Sequence, residues 1–84
     1  MPKVKLGGKL QAEVNKWNPL KSLIAGALEV KRMEYTELAD MIMISRTTMY
    51  ERRKYPQKYT IPELSAISRA LDIPWEVMRN TLPA

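Results

Sequence analysis

The sequence ISRTTMYERRKY, residues 44–55, combines hydroxyl, guanidinium, ammonium and phenol groups at helical spacing. In a helix, Arg46 and Tyr50 lie one turn apart on the surface. Thr47 and Glu51 form a second pair with the same spacing. Such side chains can hydrogen-bond to base edges and to phosphate oxygens. The segment is therefore a candidate for a helix that lies in a groove of nucleic acid, and a solvated surface helix is the simpler alternative.

Composition restricts the kinds of chemistry that this chain can perform. Its 84 residues suit one small domain, and 14 basic against 9 acidic residues give a net charge of +5, which suits a polyanionic partner. Cys and His are absent, which excludes zinc fingers, Cys nucleophiles, His general bases and disulfides. No carboxylate pair, activated nucleophile or glycine-rich phosphate loop stands out. We therefore expect no enzyme, no metal and no cofactor.

The N-terminal segment, residues 1–17, is basic and contains a Gly-Gly step that favours flexibility. We expect a basic N-terminal arm that precedes a domain of residues 18–84. A short edge strand, a helical turn that packs back on the domain, and a terminus without function are the alternatives. The chain has no apolar run long enough to span a bilayer, and this segment lacks the hydrophobic stretch of a signal peptide. A cytoplasmic protein without a membrane partner is expected.

The apolar residues are rich in Leu, Ile and Met, with no Phe, which favours an all-α fold. A first helix is expected with Asn18 as its N-cap and Pro19 as its first helical residue. A second helix is expected to have Thr36 as its N-cap and to end near Met43. Residues 41–44 would also fit a short buried strand, but this run follows a cap and has no partner strand nearby.

Three more helices are expected in the second half of the chain. The third follows the N-cap Ser45 and ends before Pro56, because the residue preceding a proline disfavours the α region. Thr60 and Glu63 form a capping box for the fourth helix, and the fifth covers about residues 75–82. The apolar side chains expected to face the core are Leu20, Leu23, Ile24, Ala27, Leu28, Leu38, Ala39, Met41, Ile42, Leu64, Ile67, Ala70, Leu71, Trp75 and Met78.

The sequence TELADMIMISRTTMYER resembles the helix-turn-helix motif of the lambda-repressor and Cro-like (XRE-type) family of phage and bacterial repressors. The residues that match at the family's spacing are Leu38, Ala39, Ile44, Ser45 and Met49. Downstream, IPELSAISRALDIPWEVM is similar to the family's following pair of helices. With the first helix included, the resemblance covers about residues 18–82. It implies a compact five-helix lambda-repressor-like DNA-binding domain with the motif at about residues 36–54.

The resemblance also implies roles for individual side chains on a recognition helix formed by residues 45–54. Base reading in the major groove of double-stranded DNA would fall to Ser45, Arg46, Thr47, Tyr50 and Glu51. Phosphate contacts would fall to Arg53, Lys54, Lys58 and, in the arm, Lys3, Lys5 and Lys9. Ala39 would allow the two motif helices to approach closely, above a core of Ile42, Ile44 and Met49.

Each of these roles has a simpler alternative. Arg46 could be a solvated arginine, and Ser45 and Thr47 could serve only as helix-start residues. Tyr50 could merely cover the helix surface. Glu51 could be solvated or paired with an arginine, because phosphates repel a carboxylate. Tyr55 and Tyr59, in the basic loop after the motif, could pack beneath it or touch DNA. The Trp and Met residues are expected in the core or in dimer contacts.

Two residues depart from the family pattern. Met43 stands where the family usually has Gly in the turn, although Gly tolerates a positive φ most easily. Arg52 stands where the family has an apolar core residue. Because a buried charge needs a partner, we expect the Arg52 stem to pack and its head to reach solvent.

The leading hypothesis is a sequence-specific transcriptional regulator of the phage or prophage Cro/repressor type that binds double-stranded DNA as a homodimer. The dimer surface is expected at the last helix, with the arm as an additional element. The first alternative is a protein-interaction module or antitoxin-like adaptor with the same fold, because a fold does not determine a function. The second is an RNA-binding basic domain, although the usual aromatic stacking surface is missing.

Overall fold

The computed structural model describes residues 15–83, and these residues form a compact all-helical domain. Its elements are α1 (Asn18–Lys31), α2 (Tyr35–Met41), α3 (Arg46–Lys54), a 3-10 turn (Pro56–Lys58), α4 (Ile61–Ala70) and α5 (Trp75–Asn80). The described part of the chain contains no strand. For residues 15–83, the prediction of an all-α fold with five helices is therefore confirmed.

The predicted arm lies largely outside the described residues, including the expected phosphate contacts Lys3, Lys5 and Lys9. Of the segment's last residues, Trp17 packs against the core in a half-buried position. The folded unit therefore includes this tryptophan.

The core lies where the five helices meet. Leu20, Ile24 and Leu28 repeat at four-residue spacing along α1 and are buried, as expected for one face of an amphipathic helix. The other buried apolar residues are Leu38, Ala39, Met49, Leu64, Ile67, Leu71, Ile73 and Met78. Around them lie half-buried Leu23, Ala27, Ile42, Ile44 and Ala70. α3 and α5 contribute least to this core, because α3 buries only Met49 and α5 buries only Met78.

Two of the predicted helix starts are wrong. Asn18 is the first residue of α1, and the N-cap is Trp17, with no side-chain cap hydrogen bond. α2 begins at Tyr35 with Glu34 as its N-cap, so Thr36 lies inside the helix. The reason is a capping box between two glutamates, in which the Glu34 backbone N–H donates to Glu37 Oε1 at 2.9 Å. In both cases the helix begins earlier in the sequence than expected, so the predicted cap residue lies inside the helix.

Two of the predicted core residues are exposed. Met41 is 52 % exposed. The inward face of α2 is formed by Leu38, Ala39 and Ile42. Met41 lies outside this face, on the side turned toward solvent. Trp75 is exposed at the first position of α5, whereas Met78, one turn later, is fully buried. The spacing of apolar residues predicts the correct helices, but it assigns more residues to their buried faces than the structure buries.

The turn between α2 and α3 keeps a left-handed residue without using glycine. Met43 has φ 62°, and its side chain is 90 % exposed. The turn is closed by the Ile44 N–H, which donates to the Ala39 carbonyl at 3.0 Å. Ala39 is fully buried between the helices. Met43 therefore adopts the backbone conformation for which a glycine would be the less strained choice.

Replacing Met43 with glycine is expected to raise the free energy of unfolding by about 0.5–1 kcal/mol. A left-handed conformation costs an L-residue about 1–2 kcal/mol, and the greater freedom of glycine in the unfolded chain offsets about 0.5–1 kcal/mol of the gain. The exposed side chain loses no packing. The matched control is Met41→Gly, in a helical position of α2, which should lower stability instead. Urea denaturation of both variants measures the two signs, and a Met43→Gly variant less stable than the parent chain would contradict this account.

Candidate nucleic-acid interface

The start of α3 is fixed by the predicted cap. Ser45 has an extended backbone, and its Oγ accepts a hydrogen bond from the Thr48 N–H at 3.0 Å. The Ser45 and Thr48 hydroxyls also hydrogen-bond to each other at 2.8 Å. This cap satisfies a backbone donor at the beginning of the helix. It sets where the helical surface begins and therefore which side chains share a face.

The outer face of α3 presents polar side chains that the fold does not use for packing. Arg46, Thr47 and Tyr50 are exposed, and the Tyr50 side chain is an exposed large aromatic at 64 %. The Arg46 guanidinium lies 3.8 Å from the Asp40 carboxylate, and both groups are largely solvated. An exposed ion pair of this kind contributes little, so Arg46 can exchange it for another anion. The three side chains are free to meet a partner in a groove.

Glu51 lies on the neighbouring face and already has cationic partners. Its Oε1 is 3.0 Å from Arg52 Nη1, and its Oε2 is 3.8 Å from Lys58 Nζ. This matches the arginine-paired alternative for Glu51. A cytosine amino group would share the carboxylate with these cations, because each oxygen has a second lone-pair site.

The Arg52 head does not reach solvent as expected. Its Nε donates to Glu63 Oε1 at 3.0 Å and its Nη2 donates to Glu63 Oε2 at 3.3 Å. Both side chains are only 15 % exposed. A two-point arginine–carboxylate pair satisfies the charge at this position and joins α3 to α4. The charged Arg52 head is therefore accommodated at this partly buried position because α4 supplies the Glu63 carboxylate.

The Arg52–Glu63 pair shifts the pKa of both partners in the direction that favours their charged forms. The hydrogen bond to Glu63 raises the pKa of Arg52 above its ordinary value. Partial burial by itself would raise the pKa of Glu63, but hydrogen bonds from Arg52 and from the Thr60 backbone outweigh it and lower that pKa. The Thr60 N–H donates to Glu63 Oε1 at 3.0 Å, and Thr60 Oγ1 accepts from the Glu63 N–H. The predicted capping box is confirmed, and its glutamate also holds α3.

The predicted phosphate-binding cations surround aromatic rings. The Arg53 guanidinium carbon lies 3.9 Å from the centre of the Tyr35 ring. Lys54 and Lys58 place their Nζ atoms 5.7 and 5.3 Å from the centre of the Tyr55 ring. Cation–π contacts orient these side chains. Arg53 and Lys54 have no carboxylate within 4.0 Å among the described residues, whereas Lys58 is also paired with Glu51. The end of α3 and the following turn therefore form an oriented cluster of positive charge.

Tyr59 faces the interior instead of this cluster. Its hydroxyl lies 4.0 Å from Met49 Sδ, in a weak hydrogen bond, and its ring packs against the core. Burial raises the pKa of Tyr59 above its ordinary value. Of the two alternatives for this residue, the structure shows the packed one.

Two clefts adjoin the outer face of α3. The smaller, of about 190 Å³, lies between α2 and α3 and is lined by Tyr35, Thr36, Arg46, Met49, Tyr50 and Arg53. The larger, of about 550 Å³, lies between α1 and α3 and shares Tyr35, Tyr50 and Arg53 with the first. It also includes Lys21 of α1, which sequence reasoning missed. No local signal marks Lys21, because its position beside α3 depends on how the helices pack.

No protein-family model, curated protein or solved structure matches this chain. The functional argument therefore depends on the residues and their geometry. Within residues 15–83 no group of His, Cys, Asp or Glu side chains could hold a metal ion. None of the helices in this part of the chain is both long enough and apolar enough to cross a membrane.

Proposed function

We propose that the chain is a sequence-specific double-stranded DNA-binding regulator with a lambda-repressor-like arrangement of helices. α3 is the recognition helix, and Arg46, Thr47 and Tyr50 read base edges in the major groove. Arg53 and Lys54 hold the phosphate backbone. A major groove admits one α-helix, and guanidinium, hydroxyl and phenol groups match the donors and acceptors on its base edges.

The observation that carries this proposal is that α3 is attached to the domain by one set of side chains and exposes a different set of polar side chains. Met49 and the Arg52 side chain attach the helix to the core, since they are its most buried groups. Arg46, Thr47 and Tyr50 point away from the core and are exposed. A helix that is held firmly on one side and polar on the other is what direct readout requires. Ser45 fits a phosphate contact better than a base contact, because its hydroxyl already serves as the cap.

A homodimer is part of the same proposal. One small domain makes few base contacts, so two copies on half-sites about one helical turn apart are needed for useful specificity. Trp75 and Val77 are exposed apolar residues on α5. This exposed apolar surface supports the last helix as the surface through which two copies associate.

Selection of bound sequences from a pool of random DNA duplexes tests the proposal. A two-fold symmetric sequence is expected, and sedimentation should show two copies of the chain on it. Affinity should fall steeply as salt is raised, because binding releases counter-ions from the phosphates. Absence of binding at every salt concentration would reject DNA recognition and favour the protein-interaction alternative. Preference for single-stranded RNA would favour the RNA-binding alternative.

Replacing Arg46 with alanine is expected to weaken binding to the selected duplex by about tenfold to a hundredfold, the loss of one specific base contact. Arg69→Ala in the last turn of α4 is the matched control, because it removes the same charge from an exposed position outside α3 and outside the proposed dimer surface. Binding isotherms on the selected duplex and on one with the contacted base changed provide the measurement. Equal effects of the two substitutions would show that Arg46 contributes only its charge.

A further inference from the structure

The larger cleft shares Tyr50 with the proposed base reading, but the rest of its lining is not used for that reading. It lies between the first half of α1 and the second half of α3. Its walls contain four cations, three tyrosines and no carboxylate: Lys21, Arg52, Arg53, Lys54, Tyr35, Tyr50 and Tyr59, with Asn18, Ser22, Ile24 and Ala25 completing the surface. Its volume of about 550 Å³ lies in the range of sites that hold small molecules.

Three of these four cations have no ionic partner within the described part of the chain. Arg52 is paired with Glu63, but Lys21, Arg53 and Lys54 have no carboxylate within 4.0 Å there. Cations gathered from two helices in one concave surface raise the local positive potential more than the same cations on a convex surface. The cleft therefore favours an anion, and three cations on one lining favour an anion with more than a single charge.

The contact between Arg53 and Tyr35 orients the guanidinium for such a ligand. The Tyr35 ring covers the face of the guanidinium, with the central carbon 3.9 Å from the ring centre. The N–H groups of arginine lie in the plane of the guanidinium, so stacking leaves them available for phosphate oxygens. No hydrogen bond occupies them among the described residues. Arg53 is thus held in place with its donors free.

The same cleft offers an aromatic surface. Tyr50 lies on its wall with 64 % of the residue exposed. Exposed aromatic rings next to cations stack on the flat face of a nucleobase, whatever the base. Tyr59, in contrast, is engaged with Met49 and serves only as the wall.

We propose that the cleft between α1 and α3 binds one nucleotide unit, with its phosphates on Lys21, Arg53 and Lys54 and its base against Tyr50. The unit belongs either to a free nucleotide or to a nucleic-acid strand, which share this chemistry. Lys21 is the residue that separates the site from the recognition face, since it lies on α1. For a free nucleotide the inference is independent of the proposed function; for a DNA strand it rests on it.

Calorimetric titration of the full chain with ATP, tripolyphosphate and a short single-stranded oligonucleotide, all without duplex DNA, tests the site. Lys21→Gln is expected to weaken the ligand that binds by about tenfold, the effect of losing one charge-assisted hydrogen bond. Tyr50→Leu should weaken ATP or the oligonucleotide and leave tripolyphosphate unchanged. Arg69→Gln, which removes one exposed charge from α4, is the control and should change none of the three.

ATP binding that depends on Lys21 supports the free nucleotide. Binding of the oligonucleotide without binding of ATP, weakened by Lys21→Gln and not by Arg69→Gln, supports a unit of a strand. Equal affinities of the parent chain and Lys21→Gln for every probe, with both folded by circular dichroism, would overturn the inference. Failure of the proposed DNA-binding function would give a different result. Duplex binding would then be absent, while ATP would still bind to the cleft.

Discussion

Replacing Met49 with alanine is expected to lower the free energy of unfolding by about 3 kcal/mol. Met49 is only 2 % exposed and is the one residue that α3 buries. Truncating a buried methionine removes its transfer free energy and leaves a cavity, which together cost about 2–5 kcal/mol. The Tyr59 hydroxyl also loses its contact with Met49 Sδ. For a small domain this is a large share of a total stability of about 5–15 kcal/mol.

Met41→Ala is the matched control, because it makes the same chemical change at a residue that is 52 % exposed. Its effect should remain within about 0.5 kcal/mol, as for most surface substitutions. Urea denaturation monitored by circular dichroism measures both variants. A loss below about 1 kcal/mol for Met49→Ala would show that α3 is held mainly by something else.

Neutralising Glu63 is expected to cost about 2 kcal/mol at neutral pH. Glu63→Gln keeps the size of the side chain but removes the two-point partner of Arg52, whose side chain is 15 % exposed, and leaves Glu51 as its ionic partner. Removing one partner of a buried pair costs about 3–5 kcal/mol, and partial exposure reduces that figure here. Glu76→Gln, at an exposed position of α5, is the control. A double-mutant cycle with Arg52→Met isolates the coupling between the two side chains, and zero coupling would refute the structural role of the pair.

The same pair predicts a pH dependence with a definite sign. The pKa of Glu63 is lowered in the folded chain from its ordinary value of 4.5, so the folded state favours the charged carboxylate. Its stabilising contribution is therefore complete above pH 4.5 and is lost as the pH falls through the lowered pKa. The difference in stability between the parent chain and Glu63→Gln should shrink on acidification. A difference that persists unchanged in acid would show that the charge of Glu63 is not what stabilises the fold.

Features determined by short stretches of sequence could be predicted. The Ser45 cap and the Thr60–Glu63 capping box each depend on residues three apart, and both are present. The failures also have local causes. Asn18 and Thr36 are suitable cap residues, but competing starts at Trp17 and Glu34 leave them inside their helices.

The parts of the site that could not be predicted depend on packing between helices. The sequence indicates that Arg52 is unusual at its position, but it does not identify its partner Glu63, which lies eleven residues away on α4. The contact forms only because the crossing of α3 and α4 brings the two side chains together. Lys21 has no sequence signal that connects it with Arg53, and only the packing of α1 beside α3 places both on one cleft. Sequence patterns identify a helix face more readily than the surfaces that face it.

The attachment of α3 through Met49 and Arg52 has a consequence for how this protein can change over time. The side chains that hold the helix and the side chains that it presents to solvent belong to different positions. Substitutions at Arg46, Thr47 or Tyr50 should therefore alter the preferred ligand at almost no cost in folding. During evolution, substitutions at these three positions could change the ligand that the proposed recognition helix binds, while the rest of the domain stays constant. The Arg52–Glu63 pair, in contrast, can change only when both residues change together.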